Sequence, residues 1–170
     1  MKNQLLYLFC LFTFTIAQAQ LEKKYLNNDT YEYDELIEAY KLLGSQGSRG
    51  ELIEVGESDF GKPIYVFMIA PESFSTIRES KELREPSVLI NNAIHPGEPD
   101  GVNAMLIWID TWIKNGKNTS DIPLIAFIPA YNVGGMMNRS STSRANQNGP
   151  EEYGFRGNAK NLDLNRDFIK

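Results

Sequence analysis

The side chains most suited to chemistry are His95 and Glu98, which Pro96 and Gly97 separate. Zinc accepts imidazole and carboxylate ligands, and a catalytic zinc site keeps three protein ligands and a water. Proline fixes one backbone torsion and glycine permits a tight turn, so this spacing can aim both groups at one ion. The alternative is a chance surface or capping pair, as a lone His-x-x-Glu often is. His95 is the chain's one histidine, which favours the metal interpretation.

A second polar cluster ends in Asn165 and Arg166. A guanidinium fork beside an amide matches a carboxylate by charge and by bidentate geometry, and lysine would match it less well. The alternative is that Arg166 pairs with Asp163 or Asp167 on a solvated surface, where such a pair contributes at most about 1 kcal/mol. Taken alone, Asn165 and Arg166 leave both interpretations open, and for an isolated Asn-Arg pair the surface ion pair is favoured.

Alternating strands and helices must position these clusters. The apolar runs at 88–93 and 124–130 predict buried strands, and the periodic segment 102–114 between them predicts a helix. This order predicts a parallel crossover in an α/β fold, with an open, mixed, largely parallel sheet and helices on both faces. His95 then follows the carboxyl end of a strand, where open α/β sheets place their chemistry.

Ahead of this unit the sequence predicts a helix and a hairpin. Asp29 and Glu32 have the spacing of a capping box for a helix that ends near Leu43. Residues 52–55 and 64–70 predict two strands joined by a turn. Further along, the polar residues 138–150, with Arg139 and Arg144, predict a long loop that either shapes access to the site or is simply solvated.

Residues 1–19 predict a cleavable signal peptide. The apolar run at 5–16 is followed by Ala17 and Ala19, a small-x-small cleavage pattern. An uncleaved membrane anchor is the alternative, but the run is shorter than the roughly 20 residues of a spanning helix. Because Cys10 lies in this run, the mature chain would contain no disulfide and no thiolate ligand. We expect a secreted or periplasmic protein without a stable membrane anchor.

The overall composition is that of an ordinary globular protein. Of its 170 residues, 42% are hydrophobic and 23% are charged, which favours one domain. The formal net charge of −5 gives no basic surface, so nucleic acid is not an expected partner.

Taken in chain order, the motifs resemble those of the zinc carboxypeptidases of the M14 type. The stretch between residues 54 and 64 looks like the entry segment of that fold, and 95–98 looks like its zinc motif. Residues 131–135 resemble the loop after the central strand, and 163–166 resemble the carboxylate-binding motif. The resemblance extends over residues 52–168, and four ordered motifs make it specific.

The resemblance implies zinc as the cofactor, with His95 and Glu98 as ligands. Asp163 matches the residue that holds the other nitrogen of the liganding histidine. Zinc would lower the pKa of a bound water, and a glutamate would take its proton.

The resemblance also implies roles for three polar residues. Arg156 matches the catalytic arginine that polarises the scissile carbonyl and contacts the substrate, whereas its structural alternative is a loop ion pair with Glu151 or Glu152. Asn165 and Arg166 would bind the terminal carboxylate of a peptide or protein.

The family's second zinc histidine and its general-base glutamate lie after the Asn-Arg motif, and this sequence contains neither. We therefore expect residues 20–170 to be the N-terminal portion of a peptidase domain, truncated at Lys170, with an incomplete sheet, weak zinc binding and no catalysis as given. The expected function of the whole protein is that of an exported metallocarboxypeptidase. The alternatives are a cell-wall stem-peptide carboxypeptidase or amidase, a zinc deacylase of the aspartoacylase type, and a noncatalytic carboxylate-binding module.

Overall fold

The computed structural model describes residues 21–46, 50–70, 87–115, 123–145, 147–148 and 150–166. Its longer elements are α1 (Tyr33–Gln46), β1 (Gly50–Glu57), β2 (Pro63–Ile69), β3 (Ser87–Asn91), α2 (Asp100–Lys114) and β4 (Leu124–Ile128). Three short elements follow, α3 (Val133–Met137), β5 (Arg139–Ser140) and β6 (Tyr153–Gly154). The expected signal peptide lies outside the described residues. Within them, no helix combines the length and the apolar character needed to cross a membrane.

Four strands form one open sheet in the order β1-β2-β4-β3. The β1–β2 and β2–β4 pairs are antiparallel, and the β3–β4 pair is parallel. The predicted strand-helix-strand crossover is therefore present, and the prediction of an open mixed sheet is confirmed. The sheet was also predicted to be largely parallel, but antiparallel pairs outnumber parallel ones among the described strands. The reason is that a tight hairpin must join antiparallel strands and this hairpin pairs directly with β4.

Both long helices pack on the same face of the sheet, which we call the covered face. Phe67 and Phe127 are cross-strand partners, so their side chains share that face. The ring of Tyr40 in α1 lies 5.3 Å from that of Phe67, and Trp108 in α2 lies 5.8 Å from Phe127. Helices on both faces were predicted, but the described helices leave the other face open, where Leu89 is 65% exposed.

The start of α1 differs from the sequence prediction. Asp29 and Glu32 do not form the expected capping box. Instead, the Glu35 carboxylate accepts the backbone N–H of Glu32 at 2.9 Å, and Asp29 accepts that of Thr30 at 2.7 Å. The same three-residue spacing of acidic side chains recurs at Glu32 and Glu35. This second pair caps the helix, because Lys24 also binds the Glu35 carboxylate, at 2.7 Å.

The polar stretch after α3 is tied to the N-terminal segment rather than simply solvated. The Arg139 guanidinium donates to the Tyr31 carbonyl at 3.2 Å, to the Thr30 hydroxyl at 2.8 Å and to the Glu152 carbonyl at 3.1 Å. These bonds join the short β5–β6 hairpin to the segment that precedes α1. The hairpin is thereby held beside the carboxyl edge of the sheet.

Candidate metal and carboxylate site

Hydrogen bonds beyond the strand ends bring the histidine loop to the carboxyl edge of the sheet. The backbone N–H of Tyr131 donates to Asn92 at 3.0 Å, and that of Asn132 donates to Ala93 at 3.1 Å. Ala93 has a positive φ of 51°, which turns the chain away from the sheet direction. His95 follows this turn, at the position predicted from the sequence.

A tight turn brings His95 and Glu98 together. The backbone N–H of Glu98 donates to the His95 carbonyl at 2.9 Å, and α2 starts two residues later. His95 Nδ1 lies 3.5 Å from Glu98 Oε1. The imidazole is buried, with 4% of its side chain exposed, whereas the carboxylate is 47% exposed. The two predicted metal ligands therefore face each other at the surface of the site.

Asp163 joins the imidazole to an arginine. One of its carboxylate oxygens lies 2.9 Å from His95 Nε2, and the other accepts from Arg156 Nε at 2.8 Å. The hydrogen bond with His95, aided by that with Arg156, lowers the pKa of the Asp163 carboxyl to about 2. An ionised carboxylate can only accept, so Nε2 carries the hydrogen, and Nδ1 is the nitrogen that faces Glu98.

Arg156 therefore has a different partner from either glutamate considered in the sequence. It uses Nε for Asp163, and neither of its Nη groups has a hydrogen-bond partner among the described residues. The guanidinium is 41% exposed. The Arg156 side chain is thus fixed at one nitrogen and presents its two others to the site.

Asn132 connects the loops that carry His95 and Arg156. Its side-chain oxygen accepts the backbone N–H of Gly135 at 2.8 Å and so caps α3. Its amide donates to the carbonyls of Ile94 at 3.2 Å and Arg156 at 3.0 Å. The residue is 1% exposed. This role of Asn132 was not predicted, although an asparagine between a strand and a helix is a recognisable capping signal.

Glycines let these loops approach closely. A Cβ atom on Gly135 would lie 2.5 Å from the Phe155 carbonyl oxygen and 2.7 Å from that of Gly157. A Cβ atom on Gly154 would lie 2.5 Å from Pro96 Cβ. The Arg156 loop can reach the histidine turn only because these positions lack side chains.

The predicted carboxylate-binding pair lies on a single turn after Asp163. The backbone N–H of Asn165 donates to the Asp163 carboxylate at 3.0 Å, and that of Arg166 donates to the Asp163 carbonyl at 3.0 Å. Both side chains are exposed. Among the described residues, the one hydrogen bond of the Arg166 guanidinium is to the Asn165 carbonyl, at 3.3 Å. This geometry leaves most of its donors facing solvent.

One contact in the site was missed from the sequence. Arg144 Nη1 lies 2.8 Å from Glu98 Oε1, the same oxygen that faces His95. Arg144 and Arg156 both line a cavity of about 400 Å³, together with Ser143 and Gln147. The predicted loop of residues 138–150 therefore contributes a cation to the candidate metal site, which neither motif indicated.

The donor set fits part of a zinc site. Two ligands about 2.1 Å from one zinc ion at a tetrahedral angle lie about 3.4 Å apart. The separation of 3.5 Å between His95 Nδ1 and Glu98 Oε1 agrees with this. A carboxylate on the far nitrogen of the imidazole is also typical of zinc-binding histidines. Within the described residues, no group of three or more potential metal ligands converges, so these two side chains supply two of the positions.

The family comparison agrees with the motifs. The sequence model of the zinc carboxypeptidase family, peptidase M14, matches residues 38–170. The chain belongs to this family, and the resemblance based on the ordered motifs is confirmed. A comparison with curated protein sequences gave no match.

Solved structures share the fold. A candidate carboxypeptidase A from Shewanella denitrificans OS-217 matches with a TM-score of 0.60 and 16% identity, over 83% of this chain and 32% of that one. A metallo-carboxypeptidase from Burkholderia cenocepacia gives 0.55 and 15%, over 82% and 33%. Bovine thrombin-activatable fibrinolysis inhibitor, in complex with tick carboxypeptidase inhibitor, gives 0.52 and 18%, over 66% and 34%. The chain thus spans about a third of the length of these structures.

Proposed function

We propose that the protein is an exported zinc carboxypeptidase that removes residues from the C-termini of peptides or proteins. The observation that supports this most is a line of groups in contact, formed by Glu98, His95, Asp163 and Arg156. Successive members lie 3.5, 2.9 and 2.8 Å apart. A pair of potential metal ligands stands at one end of this line and a partly exposed arginine at the other.

His95 Nδ1 and the Glu98 carboxylate would hold the zinc ion. When bound, zinc would supply an activated water and polarise a carbonyl oxygen. Asp163 keeps the hydrogen of His95 on Nε2 and so leaves Nδ1 available as a ligand. The complete reaction also needs a third ligand and a general base, which the family resemblance places after Arg166 in the chain.

The arginines and Asn165 would bind the substrate. The Nη groups of Arg156 would stabilise the negative charge that develops on the carbonyl oxygen. Asn165 and Arg166, both exposed, would bind the terminal carboxylate, because a guanidinium beside an amide offers several convergent donors. Arg156 precedes Asp163 in the sequence, and Asn165 follows it. Both donate to the Asp163 carboxylate, which would therefore position the carbonyl-binding and the carboxylate-binding parts of the substrate site.

The proposal that the protein is exported rests on the signal-peptide pattern at residues 1–19. The test is the N-terminal sequence and mass of the protein recovered outside the cytoplasm. A new N-terminus at Gln20 is the expected result. Recovery of the uncleaved chain from the membrane fraction would contradict the proposal.

The central experiment is zinc-dependent hydrolysis of peptides by the whole protein, with the variants His95→Ala and Glu98→Gln. We expect both variants to lose turnover, because each removes one zinc ligand. The control is Lys160→Ala, which removes an exposed positive charge from the same region without touching the line of contacts. Binding of peptides without hydrolysis would indicate a noncatalytic carboxylate-binding module instead. Hydrolysis of N-acyl amino acids rather than peptides would indicate a deacylase.

Arg166→Ala tests recognition of the chain end. A charge-assisted hydrogen bond contributes about 1.5–3 kcal/mol, so kcat/KM for peptides with a free C-terminus should fall by roughly 10- to 150-fold. Peptides with an amidated C-terminus should be hardly affected by the substitution. Equal losses on both kinds of peptide would rule out the carboxylate role of Arg166. Lys160→Ala again serves as the control for loss of positive charge.

A further inference from the structure

Glu98 is held differently from its partner His95. The imidazole is buried and bonded to Asp163, so packing and a hydrogen bond both fix its orientation. The Glu98 side chain is 47% exposed, and packing alone leaves it several rotamers. Its charged contact at hydrogen-bond distance is Arg144 Nη1, 2.8 Å from Oε1. Oε1 is also the oxygen that faces His95 Nδ1, at 3.5 Å.

Gly97 provides the path by which Arg144 reaches this carboxylate. A Cβ atom on Gly97 would lie 2.8 Å from Arg144 Cδ and 3.5 Å from Arg144 Cγ. The aliphatic stem of the arginine therefore crosses the histidine turn where a side chain is missing. Residue 97 stands between the two candidate ligands, so the turn that brings them together also admits the arginine.

The backbone of Arg144 is itself held in place. The hydroxyl of Tyr153 lies 3.0 Å from the carbonyl oxygens of both Ser141 and Arg144, which share its one hydrogen. Tyr153 is 2% exposed and lies in β6, which pairs with β5. The arginine thus extends from a loop that a buried tyrosine fixes, and its position does not depend on Glu98 alone.

We propose that Arg144 is a positioning residue for the metal-ligating carboxylate of Glu98, as Asp163 is for the imidazole of His95. This inference rests on the proposed function, in which His95 and Glu98 hold zinc. A carboxylate has about four lone-pair sites, so the ion pair with Arg144 leaves others for a metal ion. The ion pair restricts the half-exposed side chain to rotamers in which Oε1 faces His95 Nδ1.

Arg144 also has an opposing effect, because a nearby positive charge weakens the attraction of Glu98 for a cation. For a half-exposed pair this through-space effect is small and is screened by salt. Loss of a partner that orients a metal ligand, by contrast, typically lowers metal affinity by about 10- to 100-fold. The positioning effect is therefore the larger one, and removal of Arg144 weakens zinc binding.

The test is the zinc dissociation constant of the whole protein, measured by competition with a chromogenic chelator. Arg144→Ala should weaken zinc binding by about tenfold or more. Arg144→Lys, which keeps the charge but loses the guanidinium geometry, should lie between Arg144→Ala and the wild type. Lys160→Ala, the matched control for loss of an exposed positive charge, should bind zinc as the wild type does. Unchanged or tighter binding by Arg144→Ala would overturn the positioning role.

A double-mutant cycle with Glu98→Ala separates positioning from a general effect of charge. If Arg144 acts through Glu98, then Arg144→Ala has no further effect on zinc affinity once Glu98 is removed. Equal effects in both backgrounds would overturn the inference. Failure of the wild type to bind zinc would overturn the proposed function and this inference with it. Zinc binding that responds to His95→Ala but not to Arg144→Ala would overturn the inference alone.

Discussion

The covered face of the sheet and the loops at its carboxyl edge are held together by different forces. On the covered face, fully buried apolar side chains from both helices and the central strands meet, among them Phe67, Phe127 and Tyr40. Burial of apolar area is non-directional and grows with the area removed from water. The stability of this region therefore depends on the apolar volume that is buried, and substitutions that keep this volume are tolerated.

At the carboxyl edge the contacts are directional. Asn132 makes three hydrogen bonds to the backbone of three different segments, and Gly135 and Gly154 leave no room for even one carbon atom. Here a single atom decides whether the loops that carry His95 and Arg156 can meet. The candidate site therefore lies where directional contacts, rather than apolar burial, determine the structure.

The largest expected effect is on the covered face. Phe67→Ala removes a side chain with no exposed area that packs against Tyr40. We expect the free energy of unfolding to fall by about 3–5 kcal/mol, because a large cavity replaces the ring. Urea denaturation of both proteins measures the difference. Leu89→Ala is the matched control on the open face, where the exposed side chain should be worth less than about 1 kcal/mol. Similar losses for the two variants would show that the open face is buried in the native protein.

The next effect is at the loops. Asn132→Ala removes one acceptor and two donor contacts from a residue that is 1% exposed. We expect a loss of about 2–4 kcal/mol, because the backbone groups that it satisfied are left without partners. Asn27→Ala, at an exposed asparagine, is the control and should change the stability little. A loss below about 1 kcal/mol for Asn132→Ala would contradict the view that directional bonds hold the loops.

A smaller effect is expected at the glycines. Gly135→Ala places a methyl group 2.5 Å from a backbone oxygen, so the Arg156 loop must move. Alanine is the better helix former by about 1 kcal/mol, but overpacking costs about 1–3 kcal/mol, and a net destabilisation should remain. Gly56→Ala is the matched control, since nothing lies within 4 Å of its Cβ position. Thermal unfolding of the two variants should differ in sign or size, and equal shifts would refute the steric argument.

The two regions also differ in how far the sequence predicts them. The strands at 88–93 and 124–130 and the helix at 102–114 were found within a few residues of their predicted bounds, as Ser87–Asn91, Leu124–Ile128 and Asp100–Lys114. These elements could be predicted because hydrophobic periodicity and apolar runs indicate which residues are buried. The order of the strands in the sheet could not be predicted, because apolar composition does not determine which strand the hairpin pairs with.

For the candidate site, short motifs predicted the contact of His95 with Glu98, and the family resemblance predicted its contact with Asp163. Arg144 was missed because its contact with Glu98 crosses a polar loop that has no periodic pattern. The partner of Arg156 was also open, since Glu151, Glu152 and Asp163 are all acidic residues nearby in sequence. Which of these three carboxylates pairs with Arg156 depends on the path of the loop. Close contacts at the glycines fix that path, and the local composition does not reveal it.

The smallest expected effect lies at the start of α1, where a polar contact is half-exposed instead of buried. Burial raises the pKa of the Glu35 carboxyl, but the hydrogen bonds from Lys24 and from the Glu32 backbone N–H, with the charge of Lys24, outweigh it and lower the pKa below the usual 4.5. A lowered pKa in the folded state stabilises the protein above the unfolded value of 4.5, and this stability is lost as the pH falls through the folded-state pKa. Because Glu35 is 44% exposed, the pair should contribute about 0.5–1 kcal/mol at neutral pH.

Glu35→Gln tests this and completes the comparison with Asn132, since both side chains accept a backbone N–H near a helix start but only Asn132 is buried. Glutamine keeps an acceptor for the Glu32 N–H and removes the charge, so the variant should be slightly less stable than the wild type at pH 7. The difference should disappear at strongly acidic pH, where the wild-type carboxylate is protonated. Urea denaturation at both pH values measures it, with Glu38→Gln, in a more exposed ion pair, as the control. A difference that persists at low pH would mean that Glu35 stabilises α1 through its hydrogen bonds and not through its charge.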